Sequence, residues 1–240
     1  MKDQLKDIIK YTHDLGCFSM AKITAEPEET SVFAIADDKS VVMNSTFHNT
    51  VDGVDGTIGI PSLSKLKVLL NIQEYAEDAV LKINKQNDNP SSLTLKNKSG
   101  DFENEYRFMS KEVIEQNLKT LKFKGANWKL EFKPSTDSIR RFKYQSQANS
   151  EENSFFVSMN GKDLVFNFGS GSAHTGKFVF EHNAKGTLGT NTAWPVKQVL
   201  NILDLPGDKI MKISEVACEI SVNSGLAIYT YILPALSKQI

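Results

Sequence analysis

The chain has 240 residues, 40% hydrophobic and 24% charged, with a formal net charge of −1. This fits one large or two ordinary globular domains and excludes a disordered or fibrous chain. It also excludes a protein that is basic all over, so contact with nucleic acid requires positive charge segregated onto one surface.

The first predicted element is a helix over residues 3–15, DQLKDIIKYTHDL, with Leu5, Ile8, Ile9 and Thr12 at helical spacing. Lys2, Lys6 and Lys10 are four apart and stack on the side away from that face. The stretch is charged throughout, so it is not read as a signal peptide. SVFAIADDKSVVMN, residues 31–44, reads as a hairpin turning at Asp37-Asp38. A second helix, SLSKLKVLLN at 62–71, follows Pro61 and carries Lys65 and Lys67. Alternating strands at 79–83, 92–100 and 102–109 come next. Residues 110–127, SKEVIEQNLKTLKFKGAN, match nothing elsewhere and read as a linker.

A third helix is expected over STDSIRRFKYQSQ, 135–147, capped by Ser135 or Thr136. Ile139 and Phe142 are its apolar residues, and Arg140, Arg141 and Lys143 crowd one turn. SFFVSMNGKDLVFN, 154–167, reads as a hairpin with its turn at Asn160-Gly161. The fourth helix, WPVKQVLNIL at 194–203, has Pro195 at its start and carries Lys197. Strands within 209–213, 219–225 and 226–233 end the chain.

These elements repeat. Residues 31–44 align with 154–167 at an offset of 123, pairing Ser31 with Ser154 and Phe33 with Phe156. VLLNI at 68–72 matches VLNI at 199–202, and Lys82 matches Lys212, at an offset of 130. SLTLKNKSG at 92–100 faces EISVNSG at 219–225 at an offset of 125. The expectation is an α+β protein of two similar domains, 1–109 and 128–240, joined by 110–127. Each domain has two short helices and roughly eight strands in antiparallel sheets.

All four helices carry basic residues in a chain without net positive charge. Lys2, Lys6, Lys10, Lys65, Lys67, Arg140, Arg141, Lys143 and Lys197 are the candidate contacts to a phosphate backbone. No aromatic platform for single strands or groove-reading helix is evident.

Catalytic and metal motifs fail on inspection. GSAHTGKF at 171–178 satisfies GxxxxGK, but Phe178 stands where a Ser or Thr would hold magnesium. The following KFVFEH alternates like a strand. Asp52, Asp55 and Gly56 lack the later Glu of an acidic calcium loop. His13, His48, His174 and His182 form no metal set, and Cys17 and Cys218 have no metal-ligand spacing. Two scattered cysteines fit a reducing compartment, and the longest apolar stretch is about half a membrane span. The chain is therefore read as cytoplasmic, in a host cell if viral.

The duplicated order helix, hairpin, strands, helix, strands resembles the DNA sliding clamps, the processivity factors of replicative polymerases. WPVKQVLNILDLPGDKIMKISEVACEISVNSGLAIYTYILPALS and GTIGIPSLSKLKVLLNI look most like the clamps of T-even-type bacteriophages and their cyanophage relatives. The resemblance implies the DNA-clamp fold and a homotrimeric ring of six similar domains, with helices lining a hole around duplex DNA. It further implies a replicative polymerase and an ATP-driven clamp loader as partners, with no cofactor, no metal and no catalysis. By the same resemblance, Val113, Ile114 and Leu118 of the linker and Leu233 and Pro234 of the tail form an apolar pocket for partner peptides. The linker and residues 145–153 depart most from the clamp pattern. Two other readings stay open: a β-rich structural or assembly protein of a virus particle, and an enzyme assembled from scattered residues.

Overall fold

The computed structural model describes residues 1–51, 53–119, 125–169 and 174–236. The chain forms two compact units: Met1–Lys122 with Ser224–Tyr229, and Phe123–Asn223 with Thr230–Ile240.

The first unit runs α1 (Lys2–Lys10), β1 (Ala21–Ala25), β2 (Thr30–Ile35), β3 (Val42–Phe47), β4 (Gly56–Ile60), α2 (Leu63–Leu70), β5 (Val80–Gln86), β6 (Asn89–Lys96), β7 (Glu103–Arg107) and α3 (Lys111–Asn117). One antiparallel sheet has the order β4-β1-β2-β3, and a second has the order β5-β6-β7. α1 buries Leu5, Ile8 and Ile9, and α2 buries Leu63, Leu66, Leu69 and Leu70. The first helix is shorter than the expected 3–15. It stops at Lys10, and residues His13–Leu15 form a separate 3-10 turn. There the Thr12 hydroxyl bonds back to the Ile8 carbonyl, which competes with the helical ladder.

The second unit runs β8 (Leu130–Phe132), α4 (Thr136–Ala148), β9 (Ser154–Asn160), β10 (Asp163–Phe168), β11 (Gly176–Glu181), β12 (Thr192–Pro195), α5 (Val196–Asp204), β13 (Asp208–Ile213), β14 (Ala217–Asn223) and β15 (Ala227–Pro234). The first three residues of β15 belong to the first unit, where they lie beside β3. Within the second unit one sheet runs β11-β10-β9-β12, and another runs β15-β14-β13-β8. Its core is a phenylalanine cluster. Phe142 of α4 sits among Phe155, Phe166, Phe168, Phe178 and Phe180. Phe166 and Phe180 stack at 4.1 Å with planes 6° apart. Such pairs add about 0.5–1.5 kcal/mol each beyond area burial.

The sheet orders correct the sequence alignment of the repeat. β4-β1-β2-β3 corresponds strand for strand to β12-β9-β10-β11. The partner of the hairpin 154–168 is therefore β1–β2, not the 31–44 hairpin that shares its residues. The pair Ile23–Val32 recurs as Val157–Phe166, each residue 134 positions on. The helices agree: Leu63, Leu66, Leu69 and Leu70 recur 133 positions on as Val196, Val199, Ile202 and Leu203. Side-chain identity misled because any half-buried hairpin shares the same alternation.

The turns shift too. Asn160 pairs with Asp163, so the tight loop is Gly161-Lys162, with Gly161 at φ 61°. That is the glycine position of a two-residue hairpin. The expected Asp37-Asp38 turn is a longer loop closed by Ala36 N–H to Val41 O, with Lys39 at φ 60°.

Candidate nucleic-acid interface

The helices that carry the candidate cations are set by local chemistry. Ser62 Oγ accepts the Lys65 N–H at 3.2 Å and caps α2. Ser135 Oγ accepts the Ser138 N–H at 3.0 Å and caps α4. Side-chain caps of this kind are typically worth about 1 kcal/mol. Each helix buries one stripe and carries most of its basic residues on the exposed side.

The nine cations divide by what they touch. Lys6, Lys65 and Lys197 are exposed and, among the described residues, have no ion-pair partner. Lys10 is exposed, with its ammonium 6.0 Å from the Tyr11 ring. Lys67 pairs with Asp14 at 2.8 Å, and Lys143 approaches Asp204 at 3.5 Å. Arg140 pairs with Asp137 one turn away on α4. These pairs are solvent-exposed and worth about 0–1 kcal/mol, so a phosphate competes with them readily. Lys2 differs: its ammonium donates to the carbonyls of Tyr75 and Ala76. Arg141 is exposed but leans on β11. Its guanidinium lies 5.6 Å from the Phe178 ring and donates to Val179 O at 3.4 Å.

The residues assigned to the peptide pocket differ in burial. Ile114 and Leu118 are buried together with Phe33 and Met109. Val113 on the same helix is 40% exposed. Leu233 is buried in β15 and Pro234, at its end, is exposed. α3 presses on β4 so closely that a Cβ on Gly59 would stand 2.5 Å from Ile114 Cγ1. Half-buried Met20, Ile35 and Val42 pack against this cluster and were missed in the sequence. Their signal is present: Val32, Phe33, Ala34 and Ile35 are a continuous apolar run, the mark of a strand covered on both faces. Lys22 shares that face, its ammonium 5.3 Å from the Phe33 ring, and burial lowers its pKa.

The rejected motifs have other roles. Gly176 and Lys177 lie in β11, not at a helix N-terminus, and residues 171–173 lie outside the described residues. Asp55 pairs with Lys85 at 2.8 Å, which lowers its pKa, and Asp52 lies outside the described residues. No group of three or more His, Cys, Asp or Glu side chains among the described residues is placed to hold a metal ion. No helix among them is long and apolar enough to cross a membrane.

No protein-family model and no curated protein matches the sequence. Solved structures do match. The fold is similar to the crystal structure of PCNA from Thermococcus kodakaraensis, with a TM-score of 0.69 and 12% identity over 98% of this chain and 97% of that one. It is equally similar to A. fulgidus PCNA in a structure with the bound C-terminal region of FEN-1, with a TM-score of 0.69 and 11% identity over 100% and 98% of the two chains. This is the DNA-clamp fold. Within this chain α1 and α2 correspond to α4 and α5, and α3 lies between the repeats at the start of the linker region.

Proposed function

We propose that this chain is a sliding clamp of the T-even-type bacteriophage and cyanophage kind. Three copies close head to tail around duplex DNA and tether the replicative polymerase, and an ATP-driven loader opens the ring. The clamp performs no chemistry of its own. One observation carries the reading: the duplicated clamp fold leaves two matching strand edges open. In the first unit, the edge of β3 is covered by Ala227–Tyr229. The counterpart of β3 is β11 and the counterpart of β15 is β7, and both β11 and β7 end their sheets. A head-to-tail contact between these edges is heterologous, and it gives a closed ring when the rotation per copy divides the circle. It also removes the hazard of exposed edges.

The exposed cations on the four helices, Lys6, Lys10, Lys65, Lys67, Arg140, Lys143 and Lys197, are the DNA contacts in this reading. They are charges spread over four helices, free or held only in weak exposed pairs, and suited to a backbone that slides past. The half-buried Met20, Ile35 and Val42, together with exposed Val113 on α3, are the surface assigned to partner peptides. The FEN-1 segment bound to A. fulgidus PCNA supports peptide docking on this fold.

Light scattering tests the ring: the expected mass is three times that of the chain. Protein assembled on nicked circular DNA should stay bound at high salt and be released when the circle is cut. A monomer at every concentration, or retention that ignores linearisation, overturns the proposal.

A further inference from the structure

Resting on that reading, we infer that the joint between copies repeats the hydrogen-bonded joint within the first unit with an added ion pair across the strands, Glu105 of β7 set opposite Lys177 of β11 of the next copy. The register comes from the chain's own repeat. In the first unit, the His48 N–H donates to Leu226 O at 2.9 Å. The strand β7 maps onto β15 at the offset of 125 that brings Gly100 to Gly225 and buried Tyr106 to buried Tyr231. β11 maps onto β3 through the paired strands: Phe33–Asn44 corresponds to Asn167–Lys177. Beyond Phe180, the extra residue of a bulge, the same mapping brings His48 to His182. The bond between His48 and Leu226 then becomes one from His182 N–H to Asp101 O. Four residues along β7 is Glu105. Its partner across the joint, allowing for the bulge, is Lys177.

Side-chain facing supports this register independently. Tyr106 is buried and Asn104 half-buried on one side of β7, and they meet Gly176 and buried Phe178. Glu103, Glu105 and Arg107 are exposed on the other side, and they meet Val179, Lys177 and Thr175. A slip of one residue would reverse every facing. A slip of two in one direction sets Arg107 against Lys177. A slip of two in the other sets Glu103 there, but Glu103 already has Lys96 at 3.4 Å. Among the described residues, neither Glu105 nor Lys177 has an ion-pair partner.

The helix above the joint changes too. On α1, Asp7 accepts hydrogen bonds from Ser224 and Tyr229, and the Tyr11 ring stacks on Tyr229. The buried stripe Leu5, Ile9 recurs 133 positions on as Ser138, Phe142. Asp7 and Tyr11 therefore become Arg140 and Tyr144. Tyr144 is 60% exposed, whereas Tyr11 is 2% exposed. The segment that would cover them, 99–105 of the next copy, has Phe102 and Asn104 where the within-chain segment has buried Ala227 and Tyr229, and Phe102 is exposed. Arg140 and Tyr144 thus face the strand side that carries Phe102 and Asn104, while Glu103 and Glu105 lie on the other side with Lys177. In the within-chain joint Asp7 and Tyr11 hold those places, against Ser224 and Tyr229. Salt screens exposed charges, so the joint between copies is the one that salt loosens.

Sedimentation velocity on the full chain tests this. Glu105→Lys and Lys177→Glu should each weaken trimer formation about tenfold or more, since like charges then face across the strands. The double exchange should return it to within about threefold of wild type. Both positions are exposed, and unchanged circular dichroism checks the fold. In a Cys17→Ser background, Glu105→Cys with Lys177→Cys should oxidise to a covalently closed trimer, and Arg107→Cys with Lys177→Cys should not. A wild-type trimer with no rescue by the double exchange, or with better cross-linking from position 107, overturns the register and leaves the ring standing. A wild-type chain that never trimerises overturns both.

Discussion

The rings of Tyr11 and Tyr229 lie face to face, with centroids 4.6 Å apart and planes 9° from parallel. Tyr229 also donates its hydroxyl to Asp7 Oδ2 at 2.9 Å, and Ser224 Oγ donates to the same oxygen at 2.8 Å. α1 is thereby fastened to a segment near the other end of the chain. Burial raises the Asp7 pKa, and the two hydrogen bonds oppose that shift without cancelling it. A folded value above the unfolded one means the folded state holds the proton more tightly. The stability from this group is complete below the unfolded pKa and is lost as pH rises through the folded value. Asp7→Asn keeps an oxygen that accepts both bonds and has no charge to desolvate. It should match or exceed wild-type stability at pH 7, with the difference gone near pH 3, below the ordinary carboxylate range of about 3.9. Urea titrations at the two pH values decide this. A loss of more than about 1 kcal/mol at pH 7 would mean the charge itself is needed.

Tyr106 secures the start of α2. Its hydroxyl donates to Ser62 O at 2.8 Å and accepts the Ser62 N–H at 3.0 Å, and burial pushes its pKa up to about 12. Tyr106→Phe leaves both backbone groups without that partner and should lower stability by about 1–3 kcal/mol. It should also remove a dependence specific to the phenol. A raised acid stabilises the fold below its unfolded pKa, and the benefit falls away as pH climbs through 10 towards 12. Thermal melts of both proteins between pH 8 and pH 11 should converge if this account is right. Parallel curves would contradict it.

The two cysteines differ in reach. Cys218 is fully buried and its pKa is pushed upward by burial, with Glu219 adding to the shift, whereas Cys17 is half-buried. The thiolate is the reactive form. A colorimetric thiol reagent should therefore titrate one group in the native protein and the second only on unfolding. Two fast thiols at neutral pH would show that the β14 core opens locally.

Much of the fold was legible because burial has a period. α2, α4 and α5 fall within a residue or two of the spans that apolar spacing, Pro61, Pro195 and the expected cap at Ser135 or Thr136 predicted; Ser135 is the cap, and the cap at Ser62 was not read. The repeat was legible as an order of elements but not in its register. Phe33 and Phe156 share a residue type, yet Phe33 faces the α3 cluster on β2, while the strand of Phe156 corresponds to β1. Only pairing geometry separates two hairpins with the same alternation. The cations were legible as residues, but not in their partners. Nothing in the sequence shows that Lys2 reaches carbonyls more than seventy residues away or that Arg141 lies over Phe178. Glu105 and Lys177 looked like ordinary surface charges, and Lys177 was seen only as part of a failed phosphate-loop pattern. Their pairing needs two copies, and no single-chain pattern contains it.

The lysines separate the DNA contacts from the structural ones. Lys6, Lys65 and Lys197 are exposed, and among the described residues none has an ion pair to break. Replacing all three with Ala should leave urea stability within about 0.5 kcal/mol of wild type, as for surface changes away from special features. Binding to short duplex DNA should weaken, and the dependence of log K on log salt should flatten by about 0.9 for each phosphate that the variant no longer neutralises. Lys2→Ala should do the reverse. Its ammonium caps the carbonyls of Tyr75 and Ala76, so its removal should lower stability by about 1–3 kcal/mol, the range for a charged hydrogen bond. The salt slope for DNA should stay as it was. If the triple variant keeps the full slope, those helix faces do not meet the duplex. If Lys2→Ala flattens it while the fold stays as stable, the ammonium belongs with the DNA contacts after all.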